Sequence, residues 1–245
     1  GGLVPLSIGT DTGGSVRLPA AYCGITGFKF TVGCVDSSGI APLSKTLDSI
    51  GVFAKTMAET AMVYDALVDD VHRSAGVQEI SEPSARKLLS GLRIGRIEQH
   101  ELKDVQADIV KAYEATLAFF QSMGARITPL ELPCSIADLA PVAINIMVTE
   151  GAAAYGNLAN DLTKPMDSGI RPRLQAGSKL LATDYIAALE KQTQLKNQFA
   201  KALEHIDIFA TPTGLTTAVP LNEVNPFAPP VHFTRILNIL DMCGV

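Results

Sequence analysis

The chain has 245 residues, enough for one large domain or two small ones. It is 47% hydrophobic and 18% charged, which excludes a disordered chain. The net charge is −5, which argues against a nucleic-acid surface built from clustered Lys and Arg.

Elements read in chain order from the apolar pattern as follows. Residues Leu3–Ile8 form a short apolar run bounded by glycines and read as a buried strand. A sharp turn follows at Gly9–Ser15. Val16–Cys23 then reads as a short helix interrupted by Pro19 and ended at Gly24. Gly27–Val35 alternates weakly and reads as extended. Thr56-Met57-Ala58-Glu59 has the spacing of a capping box and opens a helix with one apolar face. Residues 70–90 are polar, lack a strong period and read as a surface connection. The pattern then becomes strand–helix–strand: Leu92–Ile97, the amphipathic Asp104–Met123 with Gly124 as its stop, and Arg126–Leu132. That order predicts a right-handed parallel crossover. Further helices are predicted at Ile136–Leu158 and Thr183–Glu204, a buried strand at Ile206–Ala210, and an apolar helix at Val231–Cys243. Between the last two, Pro212, Pro220, Pro226, Pro229 and Pro230 stiffen a loop. No stretch approaches the ~20 uninterrupted apolar residues of a spanning helix.

Cys23, Cys34, Cys134 and Cys243 are too few for a disulfide scaffold and lack the CxxC spacing of a metal or redox site, so a reduced cytoplasmic protein without metal is expected. Both ends are apolar and the chain does not begin with Met, so it reads as a single domain, residues 1–245, incomplete at both ends.

The densest chemistry lies in Asp11-Thr12-Gly13-Gly14-Ser15-Val16-Arg17. Paired glycines adopt backbone angles closed to other residues, and successive amides in such a turn can point into one concavity suited to an anion or a developing oxyanion. A Ser at the bend between strand and helix is presented as in a nucleophile elbow, although GxSxG is absent. The phosphate-loop pattern GxxxxGK[ST] and the dinucleotide pattern GxGxxG are also absent. The alternative is a plain tight turn with a capping Ser. Asp11 and Arg17 either hold the loop by bidentate hydrogen bonds or form a solvated surface pair. A serine nucleophile needs a base. His72, His100, His205 and His232 sit in polar or helix-edge contexts and read as surface residues. Lys29, Lys45 and Lys55 are base candidates by proximity in sequence only.

The longer string from Gly9 to Ala21, followed by Cys23-Gly24-Ile25-Thr26-Gly27-Phe28-Lys29-Phe30-Thr31, resembles the amidase signature family through its G-x-D-T-G-G-S-x-R-x-P-A core and G-x-x-G-x-K-x-T extension. Leu47–Thr56 is similar to the family's L-D-x-x-G-x-x-A-R-T segment, with Lys55 for Arg. Asp207–Thr213 is similar to its D-x-x-x-x-P-T strand. Thr234, Arg235, Asn238 and Gly244 resemble its T-x-x-x-N-x-x-G segment. The resemblance implies an α/β fold with a large mixed β-sheet flanked by helices on both faces. It also implies hydrolysis of a carboxamide by a Ser–cis-Ser–Lys triad without cofactor. Ser15 then matches the nucleophile, the backbone amides of Thr12, Gly13, Gly14 and Ser15 match the oxyanion hole, and Asp11 and Arg17 match charged positions beside the nucleophile. Lys29 matches a structural position, and Phe30 stands where the family has Pro, so the backbone there is expected to differ. The bridging Ser and the catalytic Lys fall upstream of Gly1 by this resemblance, so residues 1–245 alone are expected to be inactive. The functions that follow are an amidohydrolase, the A-type subunit of a tRNA-dependent amidotransferase drawing ammonia from glutamine, or a non-catalytic fragment or homologue. The partner expected is a small-molecule amide, with a homodimer allowed and neither nucleic acid nor membrane contacted directly.

Overall fold

The computed structural model describes residues 2–68, 82–225 and 230–245. It is α/β, with antiparallel strand pairing in its first part and parallel pairing in its second.

Strands β1 (Ser7–Asp11), β2 (Thr26–Lys29) and β3 (Ser49–Ala54) form an antiparallel sheet in the order β1-β3-β2. Helix α1 (Arg17–Cys23) packs on it through Ala20, and Val16 just before the helix lies against Gly9 and Gly51. The approach is close. A Cβ on Gly27 would stand 2.5 Å from the Ala20 Cβ, and one on Gly51 would stand 2.7 Å from the Phe28 carbonyl. Beyond β2, the Phe30 N–H donates to the Ile50 carbonyl at 2.9 Å. A proline could not make that bond, so Phe30 extends the pairing by one residue. Its ring, fully buried, then meets Phe28 and Tyr64 edge-on. Helix α2 (Met57–Leu67) follows, opened by the predicted capping box, with Thr56 Oγ1 accepting from the Glu59 N–H and Glu59 Oε2 from the Thr56 N–H.

Several expectations for this part shift. The first strand runs over Ser7–Asp11, not Leu3–Ile8, and it is not buried: Leu3 is 95% and Ile8 51% exposed. An apolar run resembles a core strand in sequence, but periodicity alone does not say whether a neighbour covers it. Strand β3 carries no expectation from the apolar pattern. Most of residues 70–90 lie outside the described residues, but Glu82–Leu89 form a helix, α3, not an irregular connection.

The second part is built on β4 (Arg93–Ile97), α4 (Ala107–Ser122) and β5 (Arg126–Leu130), with β4 and β5 parallel as predicted. Strand β6 (Ile208–Ala210) pairs on the other side of β4, giving the order β5-β4-β6. It is shorter than expected and half exposed at Ile208. Helices α5 (Leu139–Asn160), α6 (Ile170–Gly177) and α7 (Ala182–Ala202) form the rest of this part. Helix α6 carries no expectation from the sequence. Ile136–Asn160 is long and apolar enough to cross a membrane by length and composition, but Leu139, Val142, Ala143 and Ile146 are buried in the protein core. The C-terminal helix α8 spans only Arg235–Ile239, because the chain turns at Asp241 with φ +57° and pairs Gly244 with Lys29. The predicted helix Val231–Cys243 is thereby cut short at both ends. The strands thus form two three-stranded sheets among the described residues, and both are covered by helices.

Candidate active site

The turn after β1 is governed by one carboxylate. Asp11 is fully buried at the strand end and accepts from the N–H groups of Gly14 (2.8 Å) and Val16 (3.1 Å), and more weakly from that of Arg17 (3.5 Å). Its side chain therefore supplies the acceptor that the first amides of α1 lack, since Val16 offers no side-chain cap. Arg17 closes on it in a fork: Nε donates to Oδ2 at 3.1 Å and Nη2 to Oδ1 at 2.8 Å. Arg17 is 4% exposed, and two of its three remaining guanidinium N–H donors go to the Thr234 carbonyl (2.6 Å) and Asn238 Oδ1 (2.8 Å). Asn238 Nδ2 in turn donates to the Asp11 carbonyl, Asp11 Oδ1 and the Leu47 carbonyl. Burial works to raise the Asp11 carboxyl, but the hydrogen bonds and charge of Arg17, with those of Asn238 and Val16, outweigh it and hold the group below the usual carboxylate range. Asp11 and Arg17 are thus the loop-holding pair, not a solvated surface pair.

Two further residues fix the turn. Asp48 accepts from Thr12 Oγ1 at 2.5 Å, and its other oxygen accepts from the Leu43 and Ser44 N–H groups. Thr234 Oγ1 donates to the Gly13 carbonyl at 2.7 Å. Gly14 has φ +133°, and a Cβ there would fall 2.1 Å from Thr234 Oγ1. Glycine is therefore required at Gly14 by its backbone and its neighbour together.

Ser15 is exposed at the head of α1. The N–H groups of Thr12, Gly13 and Ser15 make no hydrogen bond among the described residues. That of Gly14 does, which corrects the expectation that all four amides face an oxyanion: the Gly14 N–H is spent on Asp11 Oδ1 and shapes the turn.

Lys29 is fully buried and holds structure, as the resemblance implied. Its Nζ donates to the Phe30 and Met242 carbonyls, both at 2.9 Å, while its backbone exchanges hydrogen bonds with Gly244. Burial and the nearby Arg17 charge lower its pKa to about 8 against the weaker pull of Asp11 and Asp241. Lys45 and Lys55 are exposed. His100 and His205 are exposed, His232 stacks edge-on with Phe233, and burial lowers its pKa; His72 lies outside the described residues. None of these three histidines hydrogen-bonds Ser15 among the described residues. The four cysteines are free thiols, and no metal-binding group of His, Cys, Asp and Glu occurs among the described residues.

Sequence reasoning did not assign roles to Asp48, Thr234 or Asn238, although the motif segments contain all three. Each acts across a long stretch of chain, Asn238 over 227 residues to Asp11.

The Amidase family model matches residues 1–245. The chain belongs to the amidase signature family. It is 29% identical over 251 residues to the A-type subunit of glutamyl-tRNA(Gln) amidotransferase from Streptomyces avermitilis, covering 89% of this chain and 50% of that protein. It is 31% identical over 248 residues to the protein of the same name from Nitrosomonas eutropha, covering 90% and 51%. The chain therefore spans about half the length of the curated relatives it matches. Among solved structures, an amidase crystal structure superposes with a TM-score of 0.81 at 23% identity, over 96% of this chain and 53% of that one. The urea amidolyase of K. lactis gives 0.82 at 24%, over 98% of this chain and 15% of that one. These likenesses show the amidase signature fold.

Proposed function

We propose that the protein is an amidohydrolase that cleaves a carboxamide C–N bond through an acyl-enzyme on Ser15. The observation that carries this is the nucleophile turn. An exposed serine stands at a strand-to-helix bend, beside three backbone N–H groups without a partner among the described residues, on a scaffold of buried polar side chains hydrogen-bonded to one another. Such donors, already fixed before the substrate arrives, are what a developing oxyanion needs, and losing one typically lowers the rate ~10²–10³-fold.

In this reading Ser15 Oγ attacks the amide carbon. The N–H groups of Thr12, Gly13 and Ser15 receive the oxyanion. Ammonia or an amine leaves, and water then releases the acid. The proton of Ser15 passes to the bridging serine and lysine of the family, because the lysines nearest in sequence are either locked in structure, as Lys29 is, or exposed, as Lys45 and Lys55 are. Four free thiols fit a reduced, cytoplasmic setting. Labelling with a fluorophosphonate tests the assignment. The adduct is expected on Ser15 and is lost in Ser15→Ala; an adduct elsewhere, or undiminished labelling of the variant, refutes it.

A second reading is favoured by the names of the curated relatives: the same chemistry used by an A-type amidotransferase component, with glutamine as ammonia donor for a partner enzyme. Glutamine preferred over simple amides, with hydrolysis stimulated by a co-purifying partner, would select it.

A further inference from the structure

A second carboxylate, Glu150 on α5, stands behind the loop that leads into β3. The loop seats directly on this helix: a Cβ on the neighbouring Gly151 would stand 3.1 Å from Leu43 Cδ1 and 2.9 Å from Leu174 Cδ2. Glu150 Oε2 accepts from Ser44 Oγ and from the Thr46 N–H (3.1 Å). Its Oε1 accepts from Thr46 Oγ1 and from the Tyr185 hydroxyl of α7 (2.8 Å). Two donors on each oxygen are the capacity of a carboxylate, and all four donors are neutral. Burial works to raise the Glu150 carboxyl, but the bonds from Ser44, Thr46 and Tyr185 outweigh it and hold the group below the usual carboxylate range.

The loop that Glu150 grips has no strand or helix of its own. It is a turn in which the Asp48 N–H donates to the Ser44 carbonyl (2.8 Å) and the Leu47 N–H to Ser44 Oγ (3.2 Å). Ser44, fully buried, serves both carboxylates: its hydroxyl donates to Glu150 and its N–H to Asp48 Oδ2 (2.9 Å). The Leu43 N–H meets the same Asp48 oxygen at 2.7 Å. The Asp48 backbone is held by β3, which follows it, but the two N–H groups that aim its side chain belong to the segment on α5. The other Asp48 oxygen takes Thr12 Oγ1, and Thr12 supplies one of the three N–H groups left open beside Ser15. An unbroken series of hydrogen bonds thus runs from α5 to the nucleophile turn.

We infer that Glu150 is a positioning residue for the nucleophile turn: through Ser44 and Thr46 it holds the loop that aims Asp48 at Thr12, and so sets the direction of the Thr12 amide. This rests on the reading of Ser15 as nucleophile. The test is the kinetics of fluorophosphonate labelling of Ser15 in the intact natural protein, with urea unfolding showing that each variant is folded. Glu150→Gln keeps the shape but turns N–H donors toward donors. It should lower the limiting labelling rate about tenfold, the scale of a misdirected group and not of a lost one, and leave the half-saturating probe concentration within twofold. Tyr185→Phe, which spares the bonds to Ser44 and Thr46, should stay within twofold of the wild type. In Thr12→Val the last link is already cut, so adding Glu150→Gln should lower the rate less than twofold further. If Glu150→Gln does not fold, Thr46→Val carries the same cycle, with a loss of about threefold expected. An unchanged limiting rate, a change in half-saturation alone, or losses that multiply in the double variant overturns the inference and leaves the amidohydrolase standing. Labelling at another residue, or none, refutes the amidohydrolase and this inference with it.

Discussion

The two halves of the chain use charge in opposite ways. Around Asp11 the charged and polar groups are buried, and Asp11, Arg17, Asn238 and Thr234 hydrogen-bond one another. On the parallel sheet the pairs Arg93–Asp207 and Arg96–Glu114 are equally short, at 2.6 Å each, but every side chain in them is more than a third exposed. Distance alone would put the exposed pairs ahead of Arg17–Asp11, at 2.8 Å. Burial separates them, because desolvated groups cannot fall back on water when a partner is removed. The buried set fixes a geometry; the exposed pairs decorate a surface.

The contrast is tested most severely at Gly14. Gly14→Ala places a methyl on the Thr234 side chain in a backbone region that L-residues avoid, and should destabilise by ~4 kcal/mol or prevent folding. Urea unfolding measures it, and a loss below ~1 kcal/mol would mean that the turn relaxes easily. Next, Arg17→Met leaves the Asp11 carboxylate buried without its counter-charge and should cost about 3–5 kcal/mol. Asp11→Asn on top of it should then add little, because the two act as one unit; additive losses in the double-mutant cycle would contradict a shared network.

Lys29 sharpens the comparison, since it is buried beside the hub and donates to carbonyls, not to a carboxylate. Its pKa is about 8 in the fold against 10.5 when unfolded. Between those values the unfolded chain holds the proton and the folded chain does not, so stability from this group rises with pH at up to about 1.4 kcal/mol per pH unit and is flat below the window. Unfolding at pH 7.5 and pH 10 should show that rise in the wild type relative to Lys29→Met, the comparison cancelling the tyrosines that titrate nearby. Parallel pH curves for the two proteins would mean that Lys29 is not desolvated. The smallest effect belongs to the exposed pair: Glu114→Gln should cost under about 1 kcal/mol and vanish in high salt.

Much of the site is legible in the sequence because local chemistry writes itself locally. Asp11 and Arg17 are six residues apart, and the turn between them holds the two glycines. The capping box at Thr56 and the strand–helix–strand of β4, α4 and β5 are readable for the same reason: their partners lie within one or two turns, or in one apolar period. What escapes depends on distant partners. No pattern near Asp48 announces Thr12, 36 residues away, and nothing in Leu3–Ile8 tells that the run stays uncovered. Strand β3 is obscured because Gly51 interrupts its apolar residues, although that glycine is what lets the β2 backbone come close. The expectation for the Gly14 amide fails in a similar way. The glycines do mark a special turn, but which amides remain free depends on where the Asp11 carboxylate lands.

The tie from Asn238 to Asp11 also sets an order of events during synthesis. The residues of the nucleophile turn leave the ribosome well before the amide that braces them, which is made 227 residues later. A nascent chain ending before Thr234 carries Asp11 and Arg17 with no Asn238 to brace their pairing and no Thr234 to hold the Gly13 carbonyl. Closing so long a loop is a late step. Reactivity at Ser15 should therefore switch on only after α8 has emerged, and a ribosome stalled short of α8 should display a serine that no fluorophosphonate finds.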